Sequence, residues 1–92
     1  MIRSFACKDT KKLSFDEMVR RFAGFERSAR RKLMMLHAAH QLEDLRIPPG
    51  NQLEALKGDR LGQHSIRINK QWRICFIWQD GAAHEVQIID YH

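Results

Sequence analysis

A chain of 92 residues, 43% hydrophobic and 29% charged, has the composition of one small globular domain with a modest core. No apolar run approaches the roughly 20 residues that span a bilayer, and the opening residues lack the continuous apolar stretch of a signal peptide. Cys7 and Cys75 are too few and too far apart for a metal site or a disulfide framework, which suits a reduced, cytoplasmic protein with no membrane partner.

The formal charge of +5 is unevenly spread. Residues 1–50 carry 11 Lys and Arg against 6 Asp and Glu, and residues 51–92 carry 5 of each. A basic half fits nucleic acid, an acidic protein partner or a plain solvated face.

In chain order, Ile2 to Phe5 reads as a short first strand, and Lys8 to Lys12 as a polar connection. Ser14-Phe15-Asp16-Glu17 has the form of a capping box, with Leu13 and Met18 placed as a hydrophobic staple. Phe15, Met18, Val19 and Phe22 follow at helical spacing, so a helix is predicted over 15–23 with Gly24 as its stop. A second helix is predicted over 25–40. Ala29, Leu33, Leu36 and His40 form its apolar stripe, widened by Met34 and Met35, with Arg27, Arg30 and Arg31 on the other side. His37 and His40 have a metal-ligand spacing, but no Glu or Cys completes a set. Leu42 and Leu45 close the helix end before Pro48-Pro49-Gly50-Asn51, a firm breaker.

From there the period changes to two. Gln52 to Ala55 is a short strand with Glu54 outward, and Lys57 to Gly62 is a loop. His64 to Ile68 is a strand with Ile66 and Ile68 inward and Ser65 and Arg67 outward. Gln71 to Trp78 is the strand on which the fold centres. Trp72, Ile74, Phe76 and Trp78 point to a core face, and Arg73, Cys75 and Ile77 to the other. Asp80-Gly81 is a hairpin signal leading to a last strand with Val86, Ile88 and Ile89. The pattern predicts an α+β fold: an N-terminal strand and two helices packed on one face of a twisted, mainly antiparallel sheet, in one domain over residues 1–92.

The second face of that sheet is expected to be open. Glu54, Lys57, Arg73 and Tyr91 fall on it or at its rim, with Asp90 and His92 nearby. Parity places Tyr91 with Ile89 and Arg73 if Val86 and Ile88 face the helices. Cations beside an aromatic ring suit RNA, because Arg and Lys hold a phosphate and Tyr stacks on an unstacked base. Taken singly, Lys57 is an ordinary loop lysine, Glu54 a surface acid, and Tyr91 and His92 frayed surface groups.

The joint pattern says more. Leu56-Lys57-Gly58-Asp59-Arg60, Gly62, Ser65-Ile66, Asn69, Trp72-Arg73-Ile74 and the closing Asp90-Tyr91-His92 resemble the HigB toxins of the RelE superfamily, as does the opening Met1-Ile2-Arg3-Ser4-Phe5. The resemblance implies a RelE-like toxin of a type II toxin–antitoxin system, a ribosome-dependent mRNA endonuclease without metal or cofactor. It implies a helix-turn-helix, HigA-like antitoxin as partner, with operator DNA contacted only through that antitoxin. It also implies that Lys57 and Arg73 hold the scissile phosphate, while Asp90, Tyr91 and His92 position the substrate and share the acid–base work. Glu54 departs from the pattern, since several relatives carry histidine there. Arg27, Arg30, Arg31 and Lys32 are expected to contact ribosomal RNA. Two other readings remain open: a toxin of the same fold directed at DNA gyrase, and a non-catalytic RNA-binding adaptor.

Overall fold

The eight residues Trp72–Gln79 form strand β3, which is paired on both sides. The structure, a computed structural model, describes residues 1–91. Strands β1 (Glu54–Ala55), β2 (His64–Arg67), β3 and β4 (Ala82–Asp90) lie in that order in one antiparallel sheet. The β2–β3 turn is set by Asn69, whose side-chain oxygen accepts from the amides of Gln71 and Trp72 at 2.8 Å each. The β3–β4 turn has Asp80 at φ 53° and Gly81 at φ 73°, the left-handed pair that a two-residue hairpin requires.

Ile2 and Phe5 form isolated parallel bridges to Ala83 and Val86, so the expected first strand is a lightly paired segment along β4. Further along that edge, buried Thr10 accepts the Ile88 amide on its hydroxyl at 2.9 Å. Both devices satisfy backbone groups that an edge strand would otherwise leave open.

Two helices cover one face of the sheet. Helix α2, Glu26–Ala38, buries Ala29, Leu33 and Leu36 against Ile66, Ile74, Phe76, Val86 and Ile88. Each such large side chain contributes about 1.5–3 kcal/mol when fully buried. Trp72 closes the core at one end, stacked on Phe25 at 4.8 Å and edge-on to Phe22 at 5.8 Å. Met34 does not widen the stripe; it is 71% exposed.

Helix α1 is Lys8–Ser14, the stretch expected to be a connection, and the helix predicted over 15–23 is absent apart from a 3-10 turn at Arg20–Phe22. Ser14-x-x-Glu17 is a helix exit rather than a capping box. The Glu17 amide donates to Lys12 O at 2.9 Å and the Asp16 amide to Leu13 O at 3.0 Å, with Asp16 left-handed at φ 67°. That is a Schellman stop. It turns Phe15 and Met18 outward, 64% and 81% exposed, so no staple forms between Leu13 and Met18. On this side a groove of about 660 Å³ is lined by Ile2, Phe5, Leu13, Phe15, Leu33 and Met34. No helix among the described residues is long and apolar enough to cross a membrane.

Candidate active site

Arg73 occupies the sheet face opposite Ile74 and Phe76, but that face is not open at its centre. Ser65 and Cys75 are fully buried and Arg73 is only 7% exposed. The segment from Gln52 to Arg60 lies beside them, paired to β2 at Glu54 and Ala55. Within it Leu56 is buried, and its amide donates to Gln63 O at 2.9 Å. Burial pushes the Cys75 thiol upward, while the charges of Arg60 and Arg73 work against that shift.

The guanidinium of Arg73 is held by neutral acceptors. Nε donates to the Ser65 hydroxyl at 2.8 Å, and Nη2 to the Gln52 carbonyl at 2.5 Å. Gln52 was expected to open β1; instead it adopts a left-handed conformation at φ 45° just before the two-residue strand. Glu54 Oε1 lies 3.9 Å from Arg73 Nε with its side chain 47% exposed. Such a pair at the rim leaves much of the arginine's charge uncompensated. The Tyr91 ring sits over the same guanidinium, 5.6 Å from Cζ to centroid.

The register adds a residue that parity alone could have supplied. Arg67 pairs directly with Arg73 and shares its face, and its Nε donates to Asn69 O at 3.0 Å. Like charges directly opposite one another in a sheet are destabilising. Two arginines so placed carry two positive charges against the one carboxylate, Glu54, that pairs at their rim among the described residues, and so favour an anion. Arg67 and the Gln52 carbonyl were not singled out from the sequence, and Ser65 entered only within the family motif with no role given, although Ser65 and Arg67 share the outward parity of Arg73.

The other expected residues are placed differently. Lys57 is exposed and opens the 3-10 turn Gly58–Arg60, near β1. Asp90 pairs with Trp72, in the row facing the helices rather than the Arg73 row, and accepts from Gln71 Nε2 at 3.0 Å. His92 lies outside the described residues. The α2 cations divide into two sorts. Arg27 and Arg31 are exposed, whereas Arg30 pairs with Asp16 at 3.3 Å and Glu26 at 3.8 Å. Lys32 Nζ donates to buried Asn51 Oδ1 at 2.5 Å, and burial pushes its pKa down, with Arg31 adding to the shift.

The fold is thus α+β, an antiparallel sheet with two helices on one face and an arginine–tyrosine pair on the other. Residues 5–92 match the family described as RelE-like toxin of type II toxin-antitoxin system HigB, and the chain belongs to that family.

Relatives include Toxin HigB-1 of Vibrio cholerae serotype O1, 51% identical over 61 residues, which are 66% of this chain and 64% of that protein. An uncharacterized protein of Haemophilus influenzae is 36% identical over 58 residues, 63% of this chain and 57% of its own length. The Endoribonuclease HigB of Proteus vulgaris is 44% identical over 41 residues, 45% of each chain. The matches thus span between 45% and 64% of the relatives' own lengths.

Proposed function

We propose that this toxin is an endoribonuclease that cuts mRNA in the ribosome and so stops translation. The observation that carries the reading is the Arg73 guanidinium, tied down by a hydroxyl and a carbonyl and overlaid by the Tyr91 ring. A fixed cation whose charge is not cancelled suits a phosphodiester, and an adjacent exposed ring suits a splayed base. The name of the Proteus vulgaris relative, an endoribonuclease, agrees with this.

In the proposed reaction the RNA 2′-oxygen attacks the adjacent phosphorus as its proton leaves to a base. The bond from phosphorus to the 5′-oxygen breaks, and that oxygen takes up a proton. The products are a 2′,3′-cyclic phosphate and a 5′-hydroxyl. Arg73 and Lys57 hold the phosphate and stabilise the charge that builds on it. Glu54 reaches the same rim, and Asp90 and His92 are the other candidates for proton transfer, a role worth roughly 10²–10⁴-fold. Protein cations and proton-transfer groups supply what a metal or cofactor would. Arg27 and Arg31 meet ribosomal RNA. The toxin works in the cytoplasm as one domain over residues 1–92, and a HigA-like, helix-turn-helix antitoxin restrains it and carries the pair to its operator.

Purified protein, mixed with mRNA with and without ribosomes, tests this by mapping RNA ends. Cleavage only with ribosomes, leaving 5′-hydroxyl ends and absent in a folded Arg73→Ala variant, is expected. Equal cutting of free mRNA would remove the ribosome from the mechanism. Trapped gyrase–DNA breaks with intact mRNA would assign the fold to a different target.

A further inference from the structure

The Ser65 hydroxyl is fully buried and accepts the Arg73 Nε–H at 2.8 Å. We infer that Ser65 is a positioning residue, which fixes the plane of the Arg73 guanidinium so that its Nη1 edge meets the scissile phosphate. This rests on the phosphate-holding role of Arg73 proposed above.

A guanidinium carries five N–H donors in a rigid planar fork. In Arg73 the Nε donor goes to Ser65 Oγ, and Nη2 goes to Gln52 O at 2.5 Å and, more weakly, to Ser65 O at 3.4 Å. Nη1 donates to no acceptor among the described residues. Two bonds to separate atoms of a planar group stop its rotation and tilt. The direction of the remaining edge is then set before substrate arrives.

The chemistry of the acceptors matters as much as their place. A hydroxyl and a carbonyl hold the guanidinium without neutralising it. A carboxylate at position 65 would take the same fork and compete with a phosphate for it. The site of the hydroxyl is itself rigid, because Ser65 pairs with Glu54 on one side and Cys75 on the other. Position 65 thus stands inside a four-strand row, Glu54–Ser65–Cys75–Gln87, next on the same face to the row that carries Arg73. Productive catalytic geometry tolerates about 10–20° of misalignment, which a long side chain at a sheet surface exceeds unless it is braced.

The test compares ribosome-bound mRNA cleavage by the parent, Ser65→Ala, Ser65→Cys, Arg73→Lys and the Ser65→Ala/Arg73→Lys double variant, with a thermal melt for each. Cysteine keeps the volume but is a weak acceptor, so it reports on the bond if alanine disturbs packing. Both Ser65 variants are expected to lower the maximal rate by about 10–100-fold, with the concentration for half-saturation nearly unchanged. Lysine has no Nε donor to orient, so adding Ser65→Ala to Arg73→Lys should change the rate by less than about threefold. A parent rate in folded Ser65→Cys, or the same fold-loss from Ser65→Ala in the parent and in the Arg73→Lys background, overturns the inference while leaving the Arg73 role intact. An inactive parent, or an Arg73→Lys variant as fast as the parent, overturns the Arg73 role and this inference with it.

Discussion

The Tyr91 ring lies 5.6 Å from Arg73 Cζ because β4 continues past its last assigned residue. Arg73 pairs with Ile89, and the Tyr91 amide donates to Gln71 O at 2.6 Å. Two residues on from Ile89, the ring returns to the same face and covers the cation. If its work is stacking, the ring matters and the hydroxyl does not. Tyr91→Phe should cleave ribosome-bound mRNA within a few-fold of the parent rate, and Tyr91→Ala should lose the 1–3 kcal/mol, roughly 5–150-fold, of one base–aromatic contact. Primer extension across a cleaved message measures both. Equal loss in the two variants would mean that the phenol moves a proton.

Arg73 has a structural duty as well as the proposed catalytic one. Its removal leaves the fully buried Ser65 hydroxyl and the part-buried Gln52 carbonyl without their partner. Arg73→Ala is therefore expected to fold but to lose about 1–3 kcal/mol in urea unfolding, with an unchanged slope. Unaltered stability would show that water replaces the guanidinium at no cost.

The α2 cations should separate by what they touch. Neutralising exposed Arg27 and Arg31 together should weaken ribosome binding and lessen its dependence on salt, because each phosphate contact adds to that dependence. Lys32→Met should act instead on stability, since it strips the Lys32 ammonium from buried Asn51 Oδ1. Measured affinities between roughly 50 and 200 mM salt, set beside thermal melts, distinguish the two kinds. An unchanged salt slope in the Arg27/Arg31 variant would return both arginines to plain solvent exposure.

Asp44 gives an acid-side prediction. The amides of Gln41 and His40 donate to its carboxylate at 3.1 and 2.9 Å and hold its pKa below the usual 3.8. A depressed carboxylate contributes stability above its unfolded value, and that stability is lost as pH falls through the folded one. The melting-temperature gap between parent and Asp44→Asn should therefore be widest near neutrality and shrink below about pH 4. A gap independent of pH would assign the effect to packing.

Asp16→Gly should stabilise the fold. Its left-handed backbone suits glycine better than aspartate, and a carboxylate at a helix C-terminus opposes the helix dipole. Against this stand the greater backbone freedom of glycine in the unfolded chain and the ion pair with Arg30 at 3.3 Å. A net gain of about 0.5–1 kcal/mol in denaturant unfolding is expected. Lower stability would show that the ion pair outweighs backbone strain.

How far the sequence was legible follows from how each element is stabilised. Strand β3 showed itself because Trp72, Ile74 and Phe76 alternate with residues of the other face, and the sheet keeps that alternation. Helix α2 showed itself through Ala29, Leu33 and Leu36. Helix α1 did not, because its seven residues bury only Thr10 and Leu13, and one apolar side chain makes no period. Its stop was mistaken for a start, since Ser14, Asp16 and Glu17 suit either end until the backbone of Asp16 is known. Parity brought Tyr91 to Arg73 correctly, and the same rule sets Asp90 in the other row. The burial of Arg73 was hidden because it depends on Gln52, distant by 21 positions, whose carbonyl no pattern of side chains reveals.

The covering of the β4 edge also sets a timetable. Ser4 and Glu85 meet across 81 positions, and Thr10 and Ile88 across 78. Contacts of such separation must close a long loop before they return any stability, which slows folding relative to a helical chain of this length. During synthesis the residues from Ile2 to Thr10 emerge long before their partners in β4 are made. Arg73 would be on the chain well before Ile89 and Tyr91 are there to pair with it and cover it. A growing chain therefore holds its cation-lined face incomplete until β4 has been added. The order of the strands makes the pairing of Arg73 with Ile89 one of the last contacts to form.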